Sequence, residues 1–83
     1  MDKELKEHGK ELRERMYKFI IAYVTNNGYS PSISEIGDSV GLKSKSSVRS
    51  HLMILETDGK IKVKIHSPRA IKVIGYEFRK VED

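Results

Sequence analysis

Two short amphipathic segments within residues 32–55, each opened by a capping serine and separated by a glycine, limit the fold more than anything else in the chain. The first begins Ser32-Ile33-Ser34-Glu35. This is a Ser-x-x-Glu capping box, in which each side chain accepts from the other residue's otherwise unpaired backbone N–H. Ile33, Ile36 and Val40 recur at i, i+3 and i+7. Gly41 falls where a helix end needs a residue free to take positive φ. Ser44 is the natural N-cap of a second helix over about residues 45–57, whose Val48, His51, Leu52 and Leu55 form one inward stripe. On that helix Ser46, Arg49, Ser50 and Met53 face outward. The layout is that of a helix-turn-helix, a motif whose second helix lies in the DNA major groove.

The flanking sequence completes one small unit. Residues 2–26 predict a long helix with Leu12, Met16, Phe19, Ile20, Tyr23 and Val24 on a stripe. Gly9 weakens its first part, so residues 1–9 are expected to form an N-terminal extension that frays or makes a separate turn. Asn27-Gly28 ends the helix, and Tyr29-Ser30-Pro31 loops into the capping box. After Asp58-Gly59, the residues Ile61, Val63 and Ile65 alternate with Lys60, Lys62, Lys64 and His66. That is the period of a half-buried strand with a basic outer face. Ser67-Pro68 makes a turn, and residues 69–74 supply the returning strand. The expected fold is mainly α with a small β-hairpin: three helices followed by a two-stranded antiparallel wing, a winged helix-turn-helix over residues 10–74 with a tail at 75–83.

Composition narrows the function. A chain of 83 residues without cysteine has neither a disulfide framework nor a thiolate metal site. The longest apolar stretch, Phe19–Val24, is far too short to span a bilayer, and the expected setting is cytoplasmic. His8, His51 and His66 fall on three different elements without ligand spacing, so no metal is expected. No phosphate loop or placed carboxylate pair suggests catalysis, a cofactor or a small-molecule ligand. The net charge of +4 is unevenly spread, with ten Lys and Arg against three acids in residues 43–80. Basic charge on the second helix and the hairpin is a footprint for a polyanion.

Residues 10 to about 74 resemble the N-terminal DNA-binding domain of LexA-type repressors of the bacterial SOS response. The likeness rests on the aromatic-aliphatic first helix ending in Gly28, the Pro31-Ser32-x-x-Glu35-Ile36 entry, and Gly41-Leu42. It continues through Ser44, His51-Leu52, Leu55 and Gly59-x-Ile61 to Pro68-Arg69-Ala70-Ile71 in the wing. The best-studied enterobacterial members have an asparagine at the position of Ser46 and glutamates near Arg49 and Ser50, so the resemblance implies a different operator here. Such repressors continue into a self-cleaving, dimerising domain with an Ala-Gly scissile bond. This sequence ends at Asp83 without an Ala-Gly pair, so no self-cleavage and no enzymatic activity are expected of it.

The resemblance implies a sequence-specific regulator of double-stranded DNA, a repressor of bacterial or phage origin. Ser44, Ser46, Ser47, Arg49 and Ser50 would face base edges, with Arg49 reaching a guanine. Lys43, Lys45, Lys64, His66, Ser67 and Arg69 would lie along the backbone or minor groove, with Arg69 at the wing tip. Without a dimerising domain, a weak homodimer or a dimer formed on DNA is expected, with Tyr76 and Phe78 of the tail available for pairing. The alternative is a winged-helix docking or dimerisation module. Such a module needs an apolar outer face on the second helix, where Met53 is the one large apolar residue among Ser46, Arg49 and Ser50.

Overall fold

The computed structural model describes residues 2–64, 69 and 71–75. Its elements run α1 (Asp2–Asn27), α2 (Ile33–Val40), α3 (Lys45–Thr57), β1 (Ile61–Val63) and β2 (Ile71–Val73), a winged helix-turn-helix. The expected strand position Ile65, the wing residues His66, Ser67, Pro68 and Ala70, and the tail residues Tyr76 and Phe78 lie outside the described residues.

Helix α1 buries the row Leu12, Met16, Ile20 and Val24, spaced by four. Phe19 and Tyr23, expected on the same stripe, are half-buried at its edge, their rings tilted with centroids 5.8 Å apart. Row spacing explains the split: i, i+4 positions share one line along the helix, and the i+3 neighbours lie beside it.

Helix α2 starts and stops as its local chemistry dictates. Ser32 Oγ accepts from the Glu35 N–H at 3.1 Å, and Glu35 Oε1 accepts from the Ser32 N–H at 2.8 Å. At the other end Gly41 takes φ 75°. The Leu42 N–H then reaches back to the Gly37 carbonyl at 2.9 Å, closing the turn. Gly37 is needed for a different reason. A Cβ built there would stand 2.7 Å from the Leu42 carbonyl oxygen and 3.0 Å from Val48 Cγ2. Only a residue without a side chain lets α2, the turn and α3 approach this closely.

Helix α3 buries Val48, Leu52 and Leu55 against Ile36 and the α1 row. His51, expected inside, is half-buried, and its Nδ1 accepts from Arg13 Nη1 at 3.3 Å. The strands pair antiparallel with Ile61 opposite Val73, Lys62 opposite Lys72 and Val63 opposite Ile71. Ile61, Ile71 and Val73 are buried, which closes the core over the third side of the helices. Two strands of three residues cannot stand alone, so the wing holds its shape through this inner face.

Candidate nucleic-acid interface

Outward-facing residues of α3 make up the centre of the surface. Ser44 caps the helix with its Oγ 3.4 Å from the Ser47 N–H. Ser46 in the first turn and Arg49 and Ser50 in the next are exposed, and Met53 is 65% exposed. Ser50 Oγ donates to the Ser46 carbonyl at 3.0 Å, which leaves that hydroxyl an acceptor toward solvent. Ser47, placed in the same set from sequence, is half-buried. Arg49 is ion-paired to no described carboxylate. Glu56, its nearest acidic neighbour along the helix, instead accepts from the Val63 N–H at 3.0 Å and ties α3 to β1. A guanidinium left free on an exposed helix face offers a planar fork of donors.

Lysines flank this face. Lys43, Lys45 and Lys64 are exposed, as are Lys62 and Lys72, which stand directly opposite each other on the outer face of the wing. Like charges at facing positions cost roughly 0.2–1 kcal/mol in the free protein. Lys60 is turned elsewhere, its Nζ 5.4 Å from the centre of the Tyr17 ring. His66 and Ser67 lie outside the described residues.

Arg69 departs from its expected place. The Pro68-Arg69 turn predicts a wing tip with this side chain pointing to solvent. In the structure its Nη1 lies 2.9 Å from Glu35 Oε1, 3.0 Å from the Ser30 carbonyl and 3.1 Å from the Tyr23 hydroxyl. The guanidinium carbon also sits 5.0 Å from the centre of the Tyr29 ring. Arg69 lies in the turn before β2 and its side chain stays 41% exposed, so these bonds are made at the surface. Tyr23 Oη in turn donates to Glu35 Oε2 at 2.9 Å.

Glu35 therefore sits at the centre of a network that its capping motif only partly revealed. The Ser32 backbone N–H, then the Tyr23 hydroxyl, with a smaller share from the Arg69 charge, pull its carboxyl from the ordinary 4.5 down to about 2. Tyr23 moves the other way, held protonated by its partial burial and by the bond it donates to Glu35. A carboxyl with a depressed folded pKa stabilises the fold above its unfolded pKa, and that contribution disappears as the pH falls through the folded value. Melting temperature should therefore drop between about pH 4.5 and pH 2. The drop should be smaller in Glu35→Gln, which keeps the cap and cannot titrate. Parallel melting curves for the two proteins check this.

Among the described residues no group of His, Asp and Glu is placed to hold a metal ion, and no helix is long and apolar enough to cross a membrane.

Comparison with known proteins agrees with the geometry. Residues 10–70 match the family described as LexA DNA binding domain. The chain is 48% identical over 60 residues to the LexA repressor of Bacillus subtilis, covering 72% of this chain and 29% of that protein. It is 43% identical over 65 residues to the LexA repressor of Listeria monocytogenes, covering 78% and 32%. With the LexA repressor of Staphylococcus carnosus it shares 42% over 62 residues, covering 75% and 30%. The matched region thus spans about 30% of the length of these relatives.

Proposed function

Because the chain belongs to the LexA DNA-binding domain family, we propose that it binds double-stranded DNA sequence-specifically and represses transcription by occupying a promoter. It would do so in the bacterial cytoplasm and under the SOS response. The observation that carries this reading is the exposed outer face of α3, where Arg49 has no described ion-pair partner between two small serines. Small neighbours let the helix backbone approach the bases, and a guanidinium pairs with guanine through O6 and N7. Ser44, Ser46 and Ser50 line the approach, and Ser47 supports the helix entry. Lys43, Lys45, Lys62, Lys64 and Lys72 supply phosphate affinity. The domain acts as a monomer that pairs weakly, or only when two copies occupy neighbouring half-sites about one helical turn, or a multiple, apart.

One observation favours the docking alternative: Met53 is 65% and Ile54 41% exposed on α3. Two side chains fall short of the several hundred Å² that mark a protein-binding patch, and they lie beside a charged face.

Selecting bound sites from a random duplex pool tests the proposal directly, since a docking module would enrich none. On the selected site Arg49→Ala should lose about 1–3 kcal/mol and relax the preference at one base position, while binding a scrambled duplex nearly as before. An unchanged ratio of the two affinities would remove Arg49 from the recognition face.

A further inference from the structure

Arg69 meets four residues in three places of the fold. Its guanidinium meets Tyr23 near the end of α1, Tyr29 and Ser30 in the loop, and Glu35 in the first turn of α2. It sits two residues before β2, and the Ile71 N–H at the start of that strand bonds to Ser30 Oγ at 3.3 Å. Ser30 itself is only 6% exposed. One basic side chain and one strand N–H thus pin the returning limb of the wing to the loop that leads into the helix-turn-helix.

From this juxtaposition we propose that Arg69 is a positioning residue, which fixes the pitch of the wing relative to α2 and α3 and serves DNA binding through where the wing is held, not through a contact of its own. The proposal rests on the duplex-binding reading above. Three arguments support it. Each strand has only three residues, so the hairpin has little stiffness of its own and needs an anchor beyond its inner apolar face. Secondly, Nη1 carries two hydrogens and already faces three acceptors, so this nitrogen turns to a phosphate only by stripping Glu35, Ser30 and Tyr23 of a donor together. Lastly, a phosphate at this guanidinium would stand beside the Glu35 carboxylate, which repels it. Lysine does not replace the arginine, because it has no flat guanidinium to lie over the Tyr29 ring while its end bonds these acceptors.

The experiment uses the full chain and the variants Arg69→Ala, Arg69→Lys, Glu35→Gln and the double variant Arg69→Ala with Glu35→Gln. Glutamine keeps the cap of α2, so Glu35→Gln removes the charge and leaves the helix start intact. Amide hydrogen exchange without DNA comes first. Residues 71–73 should exchange faster in Arg69→Ala and in Glu35→Gln, with the helices still folded by circular dichroism. Exchange matching the wild type would overturn the proposal whether or not the protein binds DNA.

Affinity for the selected duplex at several salt concentrations comes second, well below the melting temperature, where loss of stability alone leaves the folded population unchanged. Arg69→Ala should weaken binding several-fold without changing the slope against log salt. Arg69→Lys should not rescue it, and the double variant should lose no more than Arg69→Ala alone. A direct phosphate contact gives the opposite pattern, and any part of that pattern would overturn the proposal. The slope would fall by about 0.9 in Arg69→Ala and recover in Arg69→Lys, and Glu35→Gln would bind more tightly because it frees the arginine. If the wild-type chain binds no duplex, the functional reading fails by itself, and the exchange data still decide whether Arg69 holds the wing.

Discussion

Affinity for duplex DNA is expected to fall about 500-fold between roughly 50 and 200 mM salt, because five neutralised phosphates give a slope near −4.5 of log affinity against log salt. The five are those that would face Lys43, Lys45, Lys62, Lys64 and Lys72, all exposed on the second helix, its approach or the wing. Lys60 is left out because its ammonium rests over Tyr17. Each lysine replaced by glutamine should lower the slope by about 0.9 on selected and scrambled duplexes alike, since phosphate contacts hold little sequence information. Titrating labelled duplex at four or five salt concentrations measures this. A flat response would remove the electrostatic basis of the proposed function. Lys62→Gln or Lys72→Gln should at the same time raise the melting temperature of the free protein slightly, by relieving the facing pair.

Gly37→Ala should be the most damaging change that adds a single methyl group. Its Cβ would meet the Leu42 carbonyl oxygen at 2.7 Å, and that oxygen is backbone within a hydrogen-bonded turn, so it cannot swing aside. Relief requires α2 and α3 to separate, at a cost of about 1–3 kcal/mol or more. A domain of this size has about 4–12 kcal/mol to lose in total. At roughly 4–8 °C per kcal/mol, the melting temperature should drop by about 5–20 °C. Gly41→Ala is the comparison, because its Cβ meets nothing within 4 Å and only the positive φ opposes it. That variant should lose about 1–2 kcal/mol. If Gly37→Ala melts no lower than Gly41→Ala, the close approach of the two helices is not what makes glycine necessary there.

The contrast between these two glycines shows what was legible in the sequence. Gly41 could be read directly, because a helix stop is local and its residue choice follows from φ alone. The same holds for Ser32, Glu35 and Ser44, whose partners lie three residues away, and for the buried stripe of α3. Gly37 could not be read this way. Its constraint comes from Leu42 and Val48, and their distance is defined only once the two helices have taken their crossing angle. The partners of Arg69 are illegible for a related reason. A proline and a hairpin predict a turn, and residue 69 does lie in the turn before β2; they do not say which way its side chain folds back. Its partners Tyr23, Tyr29 and Glu35 are 34 or more residues away, too far for any sequence spacing to bring them together. At the proposed interface, the outward set Ser46, Arg49, Ser50 and Met53 followed from the helical wheel, but the half-burial of Ser47 did not.

Glu35 holds two positions at once, cap of one helix and partner of a distant arginine, and that shapes how related sequences are free to drift. Capping asks only for an oxygen at this position, which glutamate and glutamine both provide; accepting from Arg69 and Tyr23 together asks for both oxygens of the carboxylate. A lineage that retains both the arginine and the tyrosine is therefore held to glutamate. One that loses either keeps the need for a cap and can exchange glutamate for glutamine at little cost. Positions 23, 35 and 69 should then change as a group across the family, while Ser32 stays fixed through every such exchange.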